Sequence, residues 1–154
     1  MAVAAGYSGT PLPKKLGLKD GQNLLFINLP PELDELGGSR EFAKCSHCEW
    51  ADLKTVGSGF DVIHGFCKSN AQLKTHLADL QSQIKADGMI WISWPKKASK
   101  ILTDVSEDVI RAEALALDLV DVKVCAVDAI WSGLKLVIRK EKRHLYGLES
   151  GSTS

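Results

Sequence analysis

Apolar positions along the chain follow two periodicities. Asn23 to Leu29, Phe60 to Phe66 and Met89 to Trp94 are short runs dominated by apolar residues, the pattern of strands covered on both faces. Between the last two, Leu73, Leu77, Leu80 and Ile84 recur at helical intervals behind Ser69-Asn70-Ala71-Gln72, which has the spacing of a capping box; Gly88 is expected to end that helix. Ser106-Glu107-Asp108 opens a second long helix carrying Val109, Ile110, Leu115 and Leu117, with its acids at the positive end of the dipole. Val120 to Val127 and Leu134 to Arg139 are two further strands. The segment joining them is too short for a crossover helix, so they pair antiparallel as a hairpin.

Weaker signals complete the pass. Thr10-Pro11-Leu12-Pro13-Lys14-Lys15-Leu16-Gly17 reads as a short helix capped by Thr10 and closed by Gly17, and Asp20-Gly21 as a turn. From Glu32 to Thr55 the pattern is faint, and only a short helix near Leu33 and one strand between Glu41 and Leu53 are expected. Strands alternating with helices predict an α/β fold with a mainly parallel sheet of about six strands, helices on both faces and a C-terminal antiparallel hairpin. In the hairpin, Val122, Val124 and Ala126 and then Leu134, Leu136 and Ile138 are expected to form apolar faces against one of the long helices. The chain thus divides into an N-terminal segment over 1–21, the α/β domain over 22–140 and a flexible tail over 141–154.

Composition narrows the class. A length of 154 residues with 45% hydrophobic and 25% charged positions suits one globular domain. Nineteen basic residues balance nineteen acidic ones, so no overall field favours nucleic acid or an anionic membrane. No apolar run approaches the ~18 residues of a membrane span, and the start Met-Ala-Val-Ala-Ala-Gly-Tyr lacks the pattern of a secretion signal. With four cysteines and no such signal, the expectation is reduced thiols in the cytoplasm. No partner is indicated beyond a monomer or weak homodimer.

Two resemblances rest on particular residues. The lead-in Leu16-Gly17-Leu18-Lys19-Asp20-Gly21-Gln22-Asn23-Leu24-Leu25, then Gly59-Phe60-Asp61-Val62-Ile63, the capped helix, Ala86-Asp87-Gly88-Met89-Ile90-Trp91-Ile92 and the closing hairpin resemble successive parts of class I methyltransferases. The resemblance implies a Rossmann-like sheet, from which this chain departs in leaving little room for that fold's third strand and its helix, so the third strand is expected to be missing. Gly6-Tyr7-Ser8-Gly9-Thr10-Pro11-Leu12, Trp94-Pro95-Lys96-Lys97 and the hairpin segments Val122 to Asp128 and Trp131 to Arg139 resemble a family of short bacterial proteins known as a domain of unknown function. That second resemblance implies no activity. Methyltransferases follow their first strand with a glycine-rich turn that lets the backbone approach S-adenosylmethionine, whereas this chain has Asn28-Leu29-Pro30-Pro31-Glu32, with no glycine and two prolines. The turn disfavours that cofactor, and none is expected. For the acid that follows the second strand and holds a ribose, Asp52 is the nearest candidate.

Candidate chemistry gathers at a few positions. In open α/β sheets ligands collect at the carboxyl ends of strands where the order reverses, which places Asn28, Pro30, His64, Cys67 and Lys68 along a crevice with Trp94 and Lys96 beside it. Cys45-Ser46-His47-Cys48 followed by His64-Gly65-Phe66-Cys67 has the ligand types and spacing of tetrahedral zinc through Cys45, Cys48, His64 and Cys67. The same thiols and imidazole suit core packing equally. Lys96, Lys97 and Lys100 beside Trp94 could hold an anion or a nucleic-acid strand, or form a solvated loop. The intact scaffold with a lost cofactor loop points first to a non-catalytic binding or regulatory domain. The alternative is a small transferase or hydrolase, including one dependent on S-adenosylmethionine, with His64 as base and Cys67 as nucleophile.

Overall fold

The computed structural model describes residues 11–146. Thr10, the residues before it and the Glu149 to Ser154 segment lie outside that range. The sheet has six strands: β1 (Asn23–Ile27), β2 (Lys44–Cys48), β3 (Phe60–Phe66), β4 (Ile84–Pro95), β5 (Leu119–Ala126) and β6 (Trp131–Ile138). Their order is β2-β1-β3-β4-β6-β5, and β6 inserts antiparallel between β4 and β5 while the other neighbours run parallel. This is the α/β arrangement expected from the alternation of elements, with no strand beyond β2 among the described residues.

Alternation along each strand sends side chains to two layers. Leu25, Ile27, Ile63, Ile90, Ile92, Leu134 and Leu136 face helices α2 (Asn70–Gln83) and α3 (Glu107–Leu115), which contribute Leu73, Leu77, Leu80, Ile110 and Ala114. On the opposite face Leu24, Phe26, Val62, Phe66 and Trp91 pack against Leu16 and Leu18, which follow the short helix α1 (Leu12–Lys15), and against Leu33 and Leu36 of the 3-10 helix Pro31–Gly38. Both long helices start as their caps dictate: Ser69 Oγ accepts the Gln72 N–H at 3.2 Å and Ser106 Oγ accepts the Val109 N–H at 3.3 Å.

Three expectations need correction. α2 ends at Gln83, not at Gly88, and Ile84 already pairs with Phe60 as the first residue of β4. Between Phe60↔Ile84 and Val62↔Met89 the register shifts, and a Cβ on Gly88 would lie 3.0 Å from Asp61 O and 3.1 Å from Phe60 O. The glycine read as a helix stop serves the close backbone approach of a bulge. Val122 and Val124, on the edge strand β5 and beside its irregularity between Asp121 and Lys123, are 51% and 48% exposed, and Leu115 is exposed as well. Finally, the segment expected to be a tail from 141 begins with a 3-10 helix, Lys140–Leu145, after which the Tyr146 hydroxyl donates to Asp118 Oδ2 and its ring rests on the first layer.

Candidate functional site

The carboxyl ends of β1, β2 and β3 meet at one edge of the sheet. Asn28, the first residue past β1, takes a left-handed conformation (φ 56°), which favours glycine or asparagine. Its N–H donates to Cys48 O at 3.0 Å and its Oδ1 accepts the Trp50 N–H at 3.3 Å, so the turn after β1 is tied to the end of β2. Ile27 pairs with Cys48, which puts Glu49, exposed and first past β2, beside Asn28. Trp50 then turns inward. Its indole lies over Gly65, where a Cβ would be 2.6 Å from Cη2, its Nε1–H donates to Phe66 O at 2.8 Å, and it stacks on His76 at 5.5 Å between ring centres.

The residues expected to line one crevice are dispersed. His64 is buried in the second layer, stacked on Phe66 at 4.3 Å, with its Nε2 2.7 Å from Ser93 Oγ. Burial lowers its pKa to about 3, so the imidazole is neutral at physiological pH. Cys67 is buried in the first layer, where its thiol donates to Ser69 O at 3.1 Å, and burial pushes its pKa up. Base and nucleophile therefore face opposite sides of the sheet, and the catalytic pair expected from His64 and Cys67 is not assembled. Pro30 is buried under the turn, Trp94 is half-buried in the first layer, and the Lys96 N–H donates to Ile130 O at 2.8 Å. Lys97 and Lys100 are exposed on the loop beyond. Lys68 lines a cavity of about 400 Å³ with Ser69, Leu102, Thr103 and Asp104, where Asp104 Oδ1 accepts the Asn70 N–H at 2.7 Å and so helps to cap α2.

The expected zinc set is divided in the same way. Cys45 and His64 belong to the second layer, Cys48 and Cys67 to the first. Among the described residues no three His, Cys, Asp or Glu side chains gather where they could hold a metal ion. The strand period of two, which alternates side chains between faces, is the reason.

Two groups carry no sequence signal of their own. Glu49 lies directly past β2, whereas Asp52 lies in the 3-10 helix Trp50–Thr55; β2 has only five residues and no clear alternation, so its end is not legible in the sequence. At the opposite edge, a cavity of about 290 Å³ is lined by Lys19, Gln22, Asp61, Asp87 and Lys135 among others. Burial first, then Lys123 and Lys19, lowers the pKa of Lys135. That grouping joins residues far apart in sequence.

Strand order, the antiparallel β6 and the layered helices define a methyltransferase-like Rossmann fold. No family model and no curated protein matches the sequence. Solved structures do. A ribosomal protein L11 methylase from Lactobacillus delbrueckii subsp. bulgaricus is similar with a TM-score of 0.56 at 12% identity, over 78% of this chain and 71% of that one. Magnesium protoporphyrin IX methyltransferase from Synechocystis PCC 6803, with S-adenosylhomocysteine (SAH) bound, gives 0.55 at 11% identity over 78% and 75% of the two chains. A methyltransferase-like structure from Thermoplasma acidophilum gives 0.54 at 9%, over 80% and 70%. At these identities the likeness is one of fold. Among the described residues, no helix is long and apolar enough to cross a membrane.

Proposed function

We propose that this protein is a small methyltransferase-like domain, of the kind found in the short bacterial proteins it resembles, that binds an adenosyl ligand of the S-adenosylmethionine class at the carboxyl edge of β1 and β2. The observation that carries this reading is the Ile27↔Cys48 register, which sets Asn28 and Glu49 each one residue past its strand. A left-handed residue stands where the fold calls for glycine, and an exposed acid stands beside it where the fold holds a ribose. In the loop that argued against the cofactor in sequence, Asn28 supplies the left-handed residue that glycine would otherwise provide. Pro30 and Pro31 still remove two amide donors, so the ligand's amino-acid end has fewer backbone partners than a glycine-rich turn provides. Methyl transfer asks the protein for proximity and orientation, not for a protein nucleophile, and is compatible with a separated His64 and Cys67.

Calorimetry with SAH tests this. Binding is expected in the parent and at least about tenfold weaker in Glu49→Ala, the loss of one charge-assisted hydrogen-bonding group. No heat at millimolar ligand would remove the proposal. A second reading, a binding or regulatory domain without turnover, is favoured by the proline pair. It is separated from the first by incubating the protein with donor carrying a labelled methyl group and a lysate of acceptors: label on an acceptor supports the transferase, and binding without transfer supports the regulatory domain.

A further inference from the structure

β2 is an edge strand whose outer side has no pairing strand among the described residues. The Lys44 N–H donates to Gln22 O at 3.4 Å and Cys48 O accepts the Asn28 N–H at 3.0 Å, so the backbone groups of Lys44, Ser46 and Cys48 face β1 while those of Cys45 and His47 face outward. The side chains of Cys45 and His47, two residues apart, share one face, and Cys45 Sγ lies 3.8 Å from His47 Nε2. Tetrahedral zinc, with bonds of about 2.3 Å to sulfur and about 2.0 Å to nitrogen, sets those atoms about 3.5 Å apart. Gly37 packs beside the pair: a Cβ there would sit at ordinary van der Waals distance, 3.5 Å from Cys45 Sγ and 4.0 Å from His47 Nε2. One chain offers two ligands, and a structural zinc site takes about four.

We propose that two copies of this chain pair antiparallel along their β2 edges, about a twofold axis at Ser46, and bind one zinc ion between them through Cys45 and His47 of each. In that register Cys45 of one copy stands opposite His47 of the other on the same face, so four side chains surround the axis and the interface is self-complementary. Both Cys45 thiols release their protons to solvent as the ion binds, the two thiolates balance its charge, and both imidazoles bind neutral through Nε2. No redox change is involved. A five-residue edge offers few ladder hydrogen bonds, so pairing depends on the metal. Neither ligand takes part in the adenosyl reading.

Zinc is titrated into reduced, chelator-treated full-length protein, and mass is followed by sedimentation velocity. The expected result is a doubling of mass at one zinc per two chains, reversed by chelator. Cys45→Ser and His47→Ala each weaken zinc binding at least about a hundredfold and stay monomeric, while Cys48→Ser dimerises like the parent. Cobalt(II) in the parent gives the thiolate charge-transfer and intense ligand-field bands of a tetrahedral site, a readout that does not need the variants to fold. Uptake of one zinc per chain without a change in mass, dimerisation that survives Cys45→Ser, or cobalt without those bands overturns the proposal.

Discussion

A neutral imidazole in a core must satisfy its ring nitrogens or lose stability, and His64 does so in part through Ser93, 2.7 Å away. The consequence is measurable in acid. Unfolded His64 takes a proton near pH 6.5, whereas the folded side chain does so only near 3. Its contribution is complete above about pH 6.5 and is lost as pH falls toward 3, because over that window the unfolded state binds the extra proton. At about 1.4 kcal/mol per pKa unit the loss is on the order of a few kcal/mol. Denaturant midpoints at pH 7 and 4.5 should fall further for the parent than for His64→Gln, which keeps a hydrogen-bonding group and does not titrate. Equal falls would place the imidazole in a wetter site than the one described. Gly65→Ala tests the neighbouring contact with Trp50: overpacking there should cost about 1–3 kcal/mol by thermal or chemical unfolding, with Trp50 fluorescence altered. At this scale sequence could name the candidate residues but could not choose their roles. For His64 and Cys67 the packing and chemical readings use identical letters, and only burial and facing distinguish them.

Elements with local signals were legible. Ser69 and Ser106 cap as their spacing implies, and Phe60–Phe66 forms as the apolar run indicates. What was hidden depends on neighbours. Ile84 fits a helical interval, yet the ladder to Phe60 claims it for β4, and Val122 and Val124 lie exposed on β5, an edge strand among the described residues. β6 is different: it lies between β4 and β5, and Leu134, Leu136 and Ile138 are buried against the α3 layer. Leu136→Ala should therefore cost about 2–5 kcal/mol, while Lys135→Ala, which removes a charge facing Lys123 and Lys19, should stay within about 0.5 kcal/mol of the parent. A chain lacking everything from Gly133 onward loses the strand that joins β5 to the sheet and should not unfold cooperatively by circular dichroism. Cooperative unfolding near the parent midpoint would contradict this topology.

At the scale of the whole molecule, alternating strands and helices sufficed for the layers, the parallel sheet and the closing hairpin. The proposed site did not follow, because it depends on register. The Ile27↔Cys48 pairing sets Asn28 and Glu49 each one residue past its strand, and neither residue is marked in sequence as a neighbour of the other. The claim that this edge takes an adenosyl ligand is tested most directly by titrating the ¹⁵N-labelled full chain with SAH and following its amide chemical shifts. The predicted result is saturable shifts centred on Asn28, Glu49 and Trp50 that vanish in Glu49→Ala. Shifts centred instead on Lys19, Gln22 and Lys135 at the opposite edge, or none at millimolar ligand, would contradict it.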